Sequence, residues 1–209
     1  MSPLYTFLDT VRGGVKKLMR RLAMLLNRVT GGRLSPNIVT IVGFLAHVPI
    51  ALLIANGELT LAAILLIFFG LFDALDGELA RLQKSDGPKG MLLDSVTDRV
   101  KEVLLYIGIA YYFASLNEAF YAVWAVAACG AAVVVSYINA WGEVVTADVS
   151  KEKHTKNSTF RISLMTFDVR IFLLIIGLLL NQLDIVVVVI AVGSCFTAFE
   201  RLSNISKRL

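Results

Sequence analysis

The chain has 209 residues, 57% of them hydrophobic, with a mean hydropathy of +0.74. Soluble domains average about 45–50% apolar, so this composition excludes an ordinary water-soluble globule and indicates an integral membrane protein. A formal charge of +4 could suit nucleic acid. Here the basic residues flank apolar segments, so the partner they imply is the lipid bilayer surface, and no nucleic acid.

The first thirty residues are too charged and too interrupted for a cleavable signal peptide. Between Leu4 and Leu26, the residues Phe7, Leu8, Val11, Val15, Leu18, Met19, Leu22 and Leu25 recur at helical spacing, while Arg12, Lys16, Lys17, Arg20 and Arg21 fill the other face. This predicts an amphipathic helix lying on anionic headgroups rather than crossing the bilayer. Residues 1–34 are assigned to that interfacial segment, and residues 35–209 to one membrane domain. Ser35-Pro36-Asn37 is a cap-like start for a first span reaching about Ala55. Further spans are predicted at about Leu59–Leu82, Gly90–Phe113, Phe120–Val145, Leu164–Leu180 and Ile185–Leu202, each suited to a hydrocarbon core of about 30 Å. The expected fold class is therefore all-α and integral to the membrane, with six transmembrane helices preceded by an N-terminal interfacial amphipathic helix.

Basic residues set the orientation. All 20 fall in the N-terminal segment, around the second-to-third and fourth-to-fifth connections, or near the C-terminus. The connections near Asn56–Glu58, Leu116–Glu118 and Asn181–Asp184 hold none. The Lys/Arg bias puts both termini on the cytoplasmic side of a multi-pass protein. Cys129 and Cys195 lie in apolar helices without metal-type spacing and read as packing residues. His47, on an apolar helix, reads as a satisfied packing residue, and His154 as part of a headgroup-facing loop, Asp148–Arg161.

Eight residues interrupt the second and third spans: Asp73, Asp76, Gly77, Ala80, Arg81, Gly90, Asp94 and Asp98, spaced D-x2-D-G-x2-A-R-x8-G-x3-D-x3-D. An intramembrane charge costs roughly 2.5–3.5 kcal/mol, so four uncompensated carboxylates would cost on the order of 10 kcal/mol. Helical spacing puts Asp73, Asp76, Gly77 and Ala80 on one face, and Asp94 and Asp98 on one face of the next helix. The short connection Gln83–Lys89 contains the turn signal Asp86-Gly87-Pro88, so the two helices should be antiparallel neighbours. At a rise of about 1.5 Å per residue, all four carboxylates would reach similar depths, just below the cytoplasmic headgroups. Oxygen-only ligands suit Mg²⁺ or Mn²⁺, and two such ions would balance four negative charges and could bridge a diphosphate. Gly77 and Gly90 leave room for a ligand beside the helix backbone, and Arg81 can pair with phosphate. The plainer alternative, helix-packing Asp and Gly residues, explains one such position better than eight.

These eight positions match the complete signature of the CDP-alcohol phosphotransferase family, and the helix plan extends the resemblance over nearly the whole chain. The resemblance implies an enzyme of phospholipid biosynthesis, in which an alcohol displaces CMP from a CDP-linked donor, usually CDP-diacylglycerol. It further implies a homodimer with a cytoplasm-facing polar cavity and two metal ions. By that resemblance Asp73, Asp76, Asp94 and Asp98 bind the metals, and Asp98 also acts as the general base. Asn37 and Thr40 of the P-N-x-x-T start, with Gly77, Ala80, Arg81 and Gly90, look like the donor-nucleotide site. The stretch Ser136 to Glu143 resembles the S-Y-I-K-A-R-A-E stretch of phosphatidylinositol phosphate synthases, with Asn139 and Trp141 at its basic positions and Gly142 for its second alanine. Arg170 and Arg201 match basic positions of that group and are the candidate acceptor-binding residues. The small polar acceptor is thus of inositol or inositol phosphate type, with a branch using a soluble CDP-polyol donor left open. From another class, a cation or proton transporter with an acidic relay is the competing reading, although no internal repeat is evident.

Overall fold

The computed structural model describes residues 3–85, 87–149 and 164–207. Asp86, His154 and most of the Asp148–Arg161 loop lie outside these residues. The described residues form seven helices: α1 (Pro3–Val29), α2 (Pro36–Ala55), α3 (Leu59–Gln83), α4 (Pro88–Ser115), α5 (Ala119–Val149), α6 (Phe167–Leu180) and α7 (Leu183–Ser206). The class is all-helical, as the periodicity implied. Among the described residues, four helices, α2, α3, α5 and α7, are long and apolar enough to cross a membrane. The other two predicted spans differ for separate reasons. α4 carries the Asp94–Glu102 charges, and α6 has only 14 residues, starting at Phe167 instead of Leu164. Leu45, Leu52, Ile64, Phe68, Val126, Val192 and Phe199 are exposed, which suits lipid and not water.

The chain divides into two compact units. The first comprises Met1–Ile50 and Ile64–Lys101. Its core is Met19 and Ala23 of α1, Val39 of α2, and Leu75 and Leu79 of α3, with Leu26, Leu34, Leu71 and Phe72 packed around it. Lys16, Lys17, Arg20 and Arg21 on α1 remain exposed, while Met19 and Ala23 are buried. The α1–α2 connection turns through Gly31 and Gly32, both at positive φ, where a Cβ would be strained. Gln83 at the end of α3 donates to Asn27 Oδ1 (3.0 Å) and to the Leu34 carbonyl (2.9 Å), tying α3 to that connection. α3 ends on Lys84 at φ 52°, with the Ser85 N–H on the Ala80 carbonyl, and Pro88 opens α4 where its missing N–H costs nothing.

The second unit comprises Ala51–Ala63 and Glu102–Leu209. α7 packs against α5 and α6. Ala125, Ala128, Ala132 and Val135 form a small-residue stripe on α5 that allows close helix approach. Gly177 serves the same purpose between α6 and α7, since a Cβ there would lie 2.8 Å from Val186 Cγ2. The three connections without Lys or Arg all turn through a left-handed residue: Gly57, Asn117 and Asn181. These are the residue types that tolerate such caps.

Candidate active site

The first unit gathers the motif. On α2, Thr40 is buried and its hydroxyl lies 2.6 Å from Asp76 Oδ2, to which it donates. Pro36 O, 3.2 Å from the same hydroxyl, is the weaker partner. Asp76 is 5% exposed, the most enclosed of the four carboxylates. Asp73 lies one turn earlier on α3, beside Gly43 of α2, where an added Cβ would meet its Oδ1 at 3.9 Å. Asp94 and Asp98 come from successive turns of α4, Asp94 exposed and Asp98 half-buried. Their charges act on one another: Asp73 on Asp76, Asp94 and Asp98, and Asp94 on Asp76 and Asp98. The helical spacing thus puts Asp73 and Asp76 on successive turns of α3, and Asp94 and Asp98 on successive turns of α4.

One cation sits among these carboxylates. Lys101, one turn beyond Asp98 and 1% exposed, puts its ammonium 2.5 Å from Asp73 Oδ1 and 3.3 Å from Asp98 Oδ1. Sequence reasoning passed over it, grouping it with the basic residues around the second-to-third connection. The i, i+3 spacing from Asp98 was the available signal. Among the described residues no three acidic, histidine or cysteine side chains already converge as a metal cage. The donor chemistry nevertheless fits a hard divalent cation: four carboxylates, all oxygen, with Asp94 open to solvent.

The other motif residues frame this cluster. Gly77 has open space where a Cβ would be, with only Arg81 Nη2 at 4.0 Å. Gly90 faces Asn37, whose Oδ1 would be 3.9 Å from an added Cβ, so the starts of α2 and α4 lie side by side. Ala80 is half-buried, and Arg81 ion-pairs with buried Glu78 while its side chain stays 58% exposed. Glu78 was not anticipated; it steadies Arg81 from the preceding turn. His47 is buried with Nδ1 2.8 Å from the Gly43 carbonyl, as expected of a packing residue.

Arg170 and Arg201 belong to the second unit. Arg170 is 1% exposed, and its Nε and Nη2 form a fork onto Glu102 at 2.6 and 2.9 Å, with Nη1 on the Met165 carbonyl at 2.8 Å. It is therefore an enclosed ion-pair partner and not a residue reaching out from a helix end. Arg201 is 5% exposed, has Nη1 3.5 Å from the Val135 carbonyl, and feels the positive charge of Arg170. Among the described residues of this unit, the buried Tyr106 Oη, Asn139 Oδ1 and Ser194 Oγ lack a hydrogen-bond partner. Cys129 is half-buried, whereas Cys195 is exposed and so is not a core packing residue.

An all-helical protein with lipid-suited apolar surfaces and an acidic cluster in its helices is a polytopic membrane protein built around a polar site. The chain belongs to the CDP-alcohol phosphatidyltransferase family, which it matches over residues 33–199. It is thus an enzyme, a transferase, and the transporter reading is set aside. A phosphatidylinositol phosphate synthase of Cutibacterium acnes is 29% identical over 166 residues, covering 78% of each chain. An archaetidylinositol phosphate synthase of Pyrococcus horikoshii is 28% identical over 203 residues, covering 97% of this chain and 98% of that one. Among solved structures, the Mycobacterium tuberculosis phosphatidylinositol phosphate synthase with CDP-DAG bound matches with a TM-score of 0.77 at 26% identity, over 90% of this chain and 94% of that one. The same enzyme in complex with manganese and citrate matches at 0.76 and 26%, over 90% and 88%.

Proposed function

We propose that this chain transfers a phosphatidyl group from CDP-diacylglycerol to a hydroxyl of inositol phosphate or inositol, releasing CMP, at the cytoplasmic face of the cell membrane. The observation that carries this reading is the set of four motif aspartates, Asp73 and Asp98 bridged by Lys101 and Asp76 held by Thr40, in a member of this family. The relatives named as phosphatidylinositol phosphate and archaetidylinositol phosphate synthases favour an inositol-type acceptor. A relative with CDP-DAG bound favours the lipid donor.

Asp73, Asp76, Asp94 and Asp98 would hold two divalent ions, Mg²⁺ or Mn²⁺; the latter accompanies a relative's structure. When bound, such ions neutralise charge on the diphosphate as the leaving group departs. Asp98 takes the proton of the attacking hydroxyl on a carboxylate oxygen. The new O–P bond forms on the lipid-bearing phosphorus as the bond to the CMP oxygen breaks. Thr40 fixes the rotamer of Asp76 through its 2.6 Å hydrogen bond. Asn37, Ala80, Arg81 and the open backbone at Gly77 and Gly90 receive the nucleotide, with Arg81 exposed enough to turn to phosphate. Arg170 and Arg201 are proposed as acceptor-binding on the sequence resemblance alone.

For the whole chain we propose six crossings, α2 to α7, with α1 on the cytoplasmic interface, residues 35–209 as the membrane domain, and a homodimer as the working form. α4 crosses because its charges sit in its first half, leaving Val103–Phe113 apolar. The deciding experiment gives purified protein CDP-diacylglycerol and Mg²⁺, then screens inositol phosphate, inositol, glycerol phosphate and serine for CMP release. Turnover with an inositol-type acceptor is expected; turnover only with serine or glycerol phosphate would overturn the acceptor assignment.

A further inference from the structure

Lys101 ion-pairs with two motif aspartates, Asp73 and Asp98. It is also among the most deeply enclosed groups of the molecule, at 1% exposure. Asp73 and Asp98 come from different helices, α3 and α4, and one ammonium bridges them. A carboxylate pair brought together inside a membrane segment needs a compensating positive charge, and here the chain supplies its own. The same two carboxylates are proposed above as metal ligands. A divalent ion bound by both would place at least two further positive charges within a few ångströms of Nζ, where like charges repel strongly.

We propose that Lys101 is a built-in counter-cation that competes with divalent metal for Asp73 and Asp98, holding the two helices in register and setting the metal affinity of the site. In this reading the ammonium leaves the Asp73–Asp98 bridge when metal enters, and the protein trades tight metal binding for a cluster that is stable without it. Lys101 is a positioning residue: it touches Asp73 and Asp98 and acts through them. The inference rests on the assignment of the aspartates as metal ligands.

The test is direct Mn²⁺ binding, by electron paramagnetic resonance and calorimetry, to detergent-purified wild type, Lys101→Met, Lys101→Gln and Lys101→Arg. Removing the charge should tighten Mn²⁺ binding about tenfold or more, because a unit charge this close to a divalent ion is strongly repulsive. Lys101→Arg, which keeps the charge, should stay near wild type. A merely structural lysine predicts the opposite sign, with weaker binding in Lys101→Met and Lys101→Gln. Without metal both neutral variants should unfold earlier than wild type, and saturating Mn²⁺ should close that gap. If Lys101→Met does not fold, Lys101→Gln, which keeps a polar head at the site, carries the comparison. Should neither neutral variant fold even with saturating Mn²⁺, the lysine is indispensable to the fold and the competition is overturned. Mn²⁺ binding that is unchanged or weaker in the neutral variants would also overturn it, leaving the metal-ligand assignment intact. Absence of Mn²⁺ binding by the wild type would overturn both.

Discussion

Asp98 and Thr40 show how much a single side chain contributes here. Asp98→Asn removes the proposed proton acceptor while preserving shape, and CMP release should fall by about 10²–10⁴-fold. Its thermal unfolding should stay close to wild type, and full activity would remove Asp98 from the mechanism. Thr40→Val is nearly isosteric and deletes the donor to buried Asp76. A buried acceptor left without its donor costs about 1–3 kcal/mol, so this variant should unfold earlier in detergent, and Thr40→Ser should recover most of the loss. Asp76 would also lose its fixed orientation, so turnover should drop in Thr40→Val more than in Thr40→Ser. The spacing of the four aspartates was fully legible from sequence, because 3.6 residues per turn puts them on common faces. Lys101 was legible only in part. Its i, i+3 relation to Asp98 could be read, but its reach to Asp73, 28 positions away, depends on how α3 and α4 pack.

Between elements, the Glu102–Arg170 pair joins α4 to α6 across 68 positions of sequence. Both groups are buried, so breaking the pair removes a two-bond fork that compensates charge in a low-dielectric interior. Arg170→Met should destabilise the fold by about 3–5 kcal/mol, and the double variant Glu102→Met/Arg170→Met should recover much of that. Thermal unfolding of the two single variants and the double variant measures the coupling. If the stable double variant also keeps the wild-type acceptor KM, Arg170 has no acceptor role; a raised KM would support one. Arg170→Lys should not rescue, since an ammonium cannot reproduce the fork onto both Glu102 oxygens. No local pattern announces this pair, as Arg170 looks from sequence like a charge near a helix end and Glu102 lies in mid-helix, 68 positions away. Gly177→Val tests the α6–α7 packing: the added side chain meets Val186, and about 1–3 kcal/mol of overpacking loss is expected in the same assay.

For the whole molecule, the proposed topology and metal dependence can be checked without coordinates. In a background lacking Cys129 and Cys195, cysteines placed at Glu118 and Asn181 should react with an impermeant thiol reagent from outside intact cells. A cysteine at Ser85 should react only after the membrane is opened, and the reverse pattern would invert the orientation. Chelation should abolish CMP release, with Mg²⁺ or Mn²⁺ restoring it. Turnover in metal-free buffer would contradict a metal-dependent transfer.

By itself the sequence determined the helical class, nearly every helix to within a few residues, and which helix faces carry the motif aspartates. These are properties of local periodicity, turn chemistry and a long fixed-spacing motif. The α6 start moved from Leu164 to Phe167, because apolar composition does not reveal where backbone hydrogen bonding begins. Only the tertiary structure decided how the buried charges are compensated: Lys101 on Asp73 and Asp98, Thr40 on Asp76, and Arg170 on Glu102. Compensation of a buried charge depends on which side chain lies within about 3 Å of it, and packing of distant segments, not spacing along one helix, sets that distance.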